Sequence, residues 1–183
     1  MPNHCENILS VVDSVGDIGA SAHKNIRELL AGFTREVDGE PTIYFQGIVP
    51  MDEELLNESQ TSSVTKVLAM PSWYEWRVEN WGTKWDAYEG RWSDDGKAHI
   101  FLTAWSPPEK IAKALAAKLG VVLYLQFKEE GMGFIGEAWF NGVTGKTEER
   151  NYNHGEVPPH LVDNFDLESY YDEVNAHLLS EEN

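Results

Sequence analysis

This sequence predicts an α+β sandwich in which an antiparallel sheet carries two helices on one face. Three observations predict it. Strand-like and helix-like stretches run in the order βαβ, an insertion, then βαβ with one further strand. Each of the two helical stretches keeps its apolar residues on one side, as a helix resting on a sheet must. Crossover helices are too few for a doubly wound parallel sheet.

Residues 6–12 are short, apolar and β-branched, the pattern of a buried strand. Gly16 and Gly19 end it, and Ser21 is placed to cap a helix reaching Phe33, with Ile26, Leu29, Leu30 and Phe33 at helical spacing. Asp38-Gly39 marks a turn, and residues 42–49 read as a second strand stopped by Pro50. Residues 51–96 read as an insertion: a short helix over 51–57, a loop over 60–63, then an aromatic block of Trp73, Tyr74, Trp76, Trp81, Trp85, Tyr88 and Trp92. Five of the seven tryptophans fall within twenty residues, a density that calls for a packed unit rather than a linker. Asp94-Asp95-Gly96 closes the insertion with a turn. Residues 98–105 are again strand-like. Ser106 then caps a helix over 109–119, with Pro107-Pro108 in its first turn, Ile111, Leu115 and Leu119 on one side, and Gly120 at its end. Residues 121–128 and 132–140 form the arms of a hairpin that turns at 129–131. Two βαβ halves joined in this way give the ferredoxin-like arrangement, with 6–12, 42–49, 98–105 and 121–128 in one sheet and 132–140 added at its edge.

The domain division follows charge. Residues 1–142 form the ferredoxin-like domain, with 51–96 as its Trp-rich insertion. Residues 143–183 hold ten acids against Lys146 and Arg150, a net −8, and read as an acidic tail. A helix over 167–179 with Leu167, Tyr170, Tyr171, Val174 and Leu178 on one side docks that tail on the body. Over the whole chain 31 acids face 14 bases, a formal charge of −17, which repels phosphate backbones and anionic lipid; nucleic acid and membrane are therefore disfavoured as partners. Hydrophobic residues at 42% place the chain among globular proteins rather than disordered ones. The single Cys5 excludes an internal disulfide and a thiolate zinc cluster. No apolar run approaches the ~20 residues of a membrane span, and the start lacks the basic residues of a signal peptide, so a cytoplasmic location is expected.

The opening Met1-Pro2-Asn3-His4-Cys5-Glu6-Asn7, the block Trp76-Arg77-Val78-Glu79-Asn80-Trp81-Gly82-Thr83-Lys84-Trp85-Asp86-Ala87 and the run Thr103-Ala104-Trp105-Ser106-Pro107-Pro108 resemble the YubB-type family of phage and plasmid proteins, over roughly residues 1–142. His4 departs from the family pattern, which has an aromatic residue such as Trp there. The resemblance implies a ferredoxin-like domain and a mobile-element origin; it implies no reaction.

Chemistry is sparse. His4 and Cys5 are neighbours on a strand and point to opposite sides, while His154 and His160 sit in a Gly/Pro-rich loop; neither pair makes a metal site, and no cofactor is expected. His99 alternates with apolar strand neighbours and reads as structural. Cys5 stands beside Glu6, whose charge opposes thiolate formation. Carboxylates are plentiful around the tryptophan block, at Glu75, Glu79, Asp86 and Glu89, and Glu79 and Asp86 are the pair that could work as acid and base; the alternative is that Arg77 and Lys84 pair with them around an aromatic core. Tyr44, Phe45, Tyr124, Phe127, Trp139 and Phe140 lie on candidate strands but lack the basic rim of an RNA-binding sheet, so burial is expected. Trp76, Trp81, Trp85 and Trp105 either line a pocket for a small apolar or cationic ligand or pack together, with Trp76, Trp81 and Trp85 buried.

The expected function is that of a non-enzymatic interaction protein binding a host protein through an acidic or aromatic surface, as a DNA mimic or anti-defence factor. Glu148, Glu149, Asp163, Asp166, Glu168, Asp172 and Glu173 are the acidic residues assigned to that surface, and Trp76, Trp81, Trp85 and Trp105 the aromatic ones. A small carboxylate-dependent enzyme, or a small-molecule-binding module at the tryptophan block, is the alternative.

Overall fold

The computed structural model describes residues 3–16, 25–60, 72–153 and 156–168. In chain order these form β1 (His4–Val12), α1 (Ile26–Leu30), β2 (Thr34–Val37), β3 (Glu40–Ile43), α2 (Phe45–Ile48), α3 (Glu53–Gln60) and α4 (Trp73–Asn80). There follow β4 (Tyr88–Trp92), β5 (Ala98–Ala104), α5 (Glu109–Leu119), β6 (Val122–Glu129), β7 (Phe134–Asn141), β8 (Thr147–Tyr152) and α6 (Pro159–Asn164).

Six strands make one sheet in the order β4-β5-β1-β6-β7-β8, with every neighbouring pair antiparallel. Its first four strands, with α1 and α5, reproduce the split βαβ order, so the fold is ferredoxin-like α+β. Alternation assigns the faces. Cys5, Asn7, Leu9 and Val11 of β1 are buried on one side, and Leu9, Phe101, Leu125 and Phe127 meet Ile26 and Leu30 of α1 and Ile111 and Leu115 of α5 in one core. Both helices thus lie on one face. Gly120 ends α5 in the left-handed conformation that favours glycine, φ 64°.

The sequence-predicted strand over 42–49 is corrected. Only Thr42 and Ile43 of it are in a strand, and they belong to a separate β2–β3 hairpin turned by Asp38 and Gly39, both at positive φ. The chain then turns into α2, because the Asp86 carboxylate accepts the Phe45 N–H at 2.9 Å and so caps the helix from outside. The sheet position expected of 42–49 is filled by β4, from inside the stretch read as an insertion. Gly90 in β4 lets the hairpin approach: a Cβ there would lie 2.6 Å from the Pro41 carbonyl oxygen. Ser21 and most of the helix expected over 167–179 lie outside the described residues. Asn25 caps α1 instead, and α3 runs slightly beyond the predicted 51–57.

The division at residue 142 does not fall at an edge of the sheet, since β8 pairs with β7 and displaces it from the edge. On the face opposite α1 and α5, Tyr124 stacks on Trp139 at 4.8 Å, and Leu161, Phe165 and Leu167 cover Ile135. Leu167 is buried. Beneath α6, the fully buried Glu137 carboxylate accepts from both the Tyr124 and Tyr152 hydroxyls, meets His160 Nε2 at 2.8 Å and faces Arg150 at 3.8 Å. These groups tie α6 to β6, β7 and β8. A buried carboxylate survives only with such a set of partners.

Candidate aromatic interaction site

The tryptophan block divides into an inner and an outer group. Trp81 is 1% exposed, edge-on to Phe45 and to Trp76, and its indole N–H donates to the Val49 carbonyl at 2.8 Å. Trp76 packs half-buried against the same core. The Arg77 guanidinium lies over both Trp73 and Trp81, at 5.2 and 4.8 Å. These rings are scaffold. Trp85 and Trp105 are not: 36% and 38% of their surface faces solvent, so the expected burial of Trp85 is corrected. Exposed Tyr74 and Val78 of α4 lie in the same region of the chain.

Two loops build the outer group. Ser72 and Glu75 close a reciprocal capping box at the start of α4, which places Tyr74 on its first turn. After Trp81 the chain passes Gly82, at φ 87°, whose missing side chain leaves room for the Pro107 carbonyl oxygen 3.2 Å from where a Cβ would stand. The Thr83 hydroxyl donates to the Ala104 carbonyl and the Ser106 hydroxyl to the Gly82 carbonyl, at 2.8 and 2.7 Å. Ser106 is therefore a clamp between loops and not a helix cap; the N-cap of α5 is Pro108, without a side-chain bond.

Trp105 sits between these clamps with φ 70°. That region disfavours L-residues with a bulky side chain, at a cost of about 1–2 kcal/mol. The conformation is over-determined: the Trp105 N–H donates to the Asn3 carbonyl at 3.0 Å, Asn7 donates to the Thr103 hydroxyl, and that hydroxyl donates to the Ser106 carbonyl. The ring so placed stands edge-on to Tyr74. The Lys84 ammonium lies 4.7 Å from the centre of the Trp105 ring, 5.2 Å from Trp85 and 5.8 Å from Tyr74. Trp85 leans on Tyr88, whose hydroxyl donates to the Thr103 carbonyl and shares a hydrogen bond with His4 Nδ1. Burial pushes the Tyr88 hydroxyl up to about 12, so it remains a donor at neutral pH.

The four tryptophans expected to act together are thus separated, Trp76 and Trp81 inward and Trp85 and Trp105 outward. Lys84 and Tyr74 complete the outer group and are not among the expected site residues; the available signal is a lysine directly before Trp85 and three residues after Trp81. Lys84 lies on rings rather than on a carboxylate, and Arg35 makes the ion pair with Asp86 at 3.3 Å. Asp86 also accepts from the Phe45 and Ala87 N–H groups, and burial raises its pKa despite these bonds and Arg35. Glu79 is exposed on α4, and its backbone carbonyl accepts from Lys110. No hydrogen bond joins Glu79 to Asp86.

The other expected positions are placed as follows. Asp163 on α6 and Asp166 and Glu168 beyond it face solvent, while Asp172 and Glu173 lie outside the described residues. Glu148 pairs with Arg150, and Glu149 is bonded to Asn151. Phe45, Tyr124, Phe127, Trp139 and Phe140 are buried, and Tyr44 is half-buried. His99 is buried against Trp92 and Phe101, and burial lowers its pKa to about 4, leaving it neutral. Burial likewise pushes the Cys5 thiol up to about 12. Among the described residues, no three His, Cys, Asp or Glu side chains gather as metal ligands, and no helix is long and apolar enough to cross a membrane.

Residues 81–157 match a family model described as the ferredoxin-like domain in Api92-like protein, a span running from Trp81 past the end of β8. No curated protein matches the chain. Among solved structures it is similar to the protein api92 from Yersinia pseudotuberculosis, at 14% identity and a TM-score of 0.48. That likeness covers 62% of this chain and spans 40% of the other.

Proposed function

We propose that this chain is a non-enzymatic interaction protein, YubB-type and of phage or plasmid origin, that binds a host protein in the host cytoplasm through the outer aromatic group. The observation that carries this reading is Trp105, held at φ 70° by bonds on both sides while 38% of its surface faces water. A fold gains little from straining its backbone to expose an indole; a binding surface gains an anchor of the kind that dominates protein interfaces. Tyr74, Trp85 and Val78 supply further exposed apolar area. Two of the three runs that carry the YubB-type resemblance, 76–87 and 103–108, include Lys84, Trp85 and Trp105. The formal charge of −17 favours a basic partner over an acidic one.

The test is retention of host protein on immobilised chain, with mass spectrometry of what is bound. The wild type is expected to retain one basic protein in stoichiometric amount, and the double variant Trp85→Ala/Trp105→Gly to lose it at an unchanged melting temperature. Equal retention by both forms would dismiss the aromatic group as the docking surface.

A further inference from the structure

We infer that Tyr74, Trp85 and Trp105 form a receptor for an arginine side chain of the basic partner, and that Lys84 is its internal occupant, displaced on binding. This deepens the docking role proposed above and rests on it. The chemistry that fits is visible in the structure, because three ring faces already hold an ammonium at 4.7, 5.2 and 5.8 Å. Lys84 is half-buried in a loop, on a flexible stem that can swing into solvent.

Arginine is favoured over lysine by a contrast within the molecule. Where indoles are permanently packed, a guanidinium covers them: Arg77 lies over Trp73 and Trp81, and Arg150 over Trp139 at 4.8 Å. The exposed pair Trp85 and Trp105 is covered by a lysine instead. A guanidinium is less strongly hydrated than an ammonium and lies flat on a ring, so an incoming arginine replaces Lys84 at a net gain. The exchange releases Lys84 to water and keeps the rings covered in both states. The acidic charge of the chain draws a basic partner to the site and opposes an acidic one.

The probes are capped Gly-Arg-Gly, Gly-Lys-Gly and Gly-citrulline-Gly tripeptides, titrated into the full chain while the indole N–H signals are followed by NMR. The expected order is arginine tighter than lysine, with citrulline, which keeps the shape without the charge, not binding. Lys84→Met removes the internal competitor and should tighten the arginine peptide on the order of tenfold. Trp105→Gly should weaken it by a similar factor, with the remaining indole signals unmoved to show that the fold persists. Lys84→Met binding no tighter than wild type overturns the displacement while leaving the docking surface intact. Trp105→Gly binding like wild type overturns both. Citrulline binding as well as arginine, or self-association of the chain that Trp105→Gly abolishes, would also overturn the assignment, the latter by making a second copy the occupant.

Discussion

Trp81 and Trp105 are the same side chain used in opposite ways. Trp81 has ordinary helix-end geometry, is 1% exposed and has its N–H bonded. Trp105 has a strained backbone and a ring left 38% open. The two loops that carry them are clamped to each other through Thr83 and Ser106. The difference teaches that burial and backbone strain must be considered together. A buried ring in a relaxed conformation contributes stability, whereas an exposed ring in a strained one carries a backbone cost that its partial burial offsets less, which is why the docking role is proposed for Trp105 and not for Trp81.

Substitutions widen the comparison. Trp81→Ala empties a filled core position and leaves the Val49 carbonyl without its donor, so it should cost about 3–5 kcal/mol in denaturant unfolding. Thr83→Val removes the hydroxyl that joins the inner loop to the outer one. Thr83 is fully buried, and a loss of about 1 kcal/mol is expected, together with weaker binding of the arginine peptide. A change in binding without a change in stability would show that the clamp aims the rings rather than holding the fold.

Glu109 opens α5 directly after the Trp105 loop. Burial, and then the nearby Glu149 charge, raise its carboxyl to about 7. A folded-state pKa raised above the unfolded 4.5 favours the protonated native form. Its contribution is complete below about pH 4.5 and is lost as pH rises through about 7. Glu109→Gln should therefore be more stable than wild type at pH 8, by about 1 kcal/mol after discounting for solvent access, and should show no such gain at pH 4.5. Thermal melts across that range check the sign. The smallest effect is expected at the outer ring itself. Trp105→Gly loses partial ring burial but relieves the left-handed backbone, so its stability should stay within about 1 kcal/mol of wild type.

Much of this fold is legible in the sequence where local pattern and local capping agree. The strands near 6–12, 98–105, 121–128 and 132–140 and the helix over 109–119 follow from periodicity, prolines and Gly120. What is not legible depends on distant partners. The apolar run Ile43-Tyr44-Phe45 looks like strand, but a carboxylate forty-one residues away caps Phe45 and turns the chain into helix. Strand β4 hides because Glu89, at positive φ, and Gly90 interrupt its pattern. Both belong to the irregular register through which β4 meets β5, and Gly90 also admits Pro41. The tryptophan block is conspicuous in composition, yet its division into inner and outer rings is set by the clamp between loops 82–86 and 103–108, which no local pattern encodes. Glu137, on the opposite face, escapes notice for the same reason: its partners come from β6, β8 and α6.

The central claim is that the outer aromatic group is a docking surface and the inner one is scaffold. Photo-crosslinking in host cells tests it most directly, with benzoylphenylalanine placed in turn at Trp85 and at Met132, a 74% exposed position in the β6–β7 turn. The account predicts a single adduct from position 85, diminished by Trp105→Gly in the same chain, and none from position 132. No adduct at 85, or the same set of adducts from both positions, would contradict it.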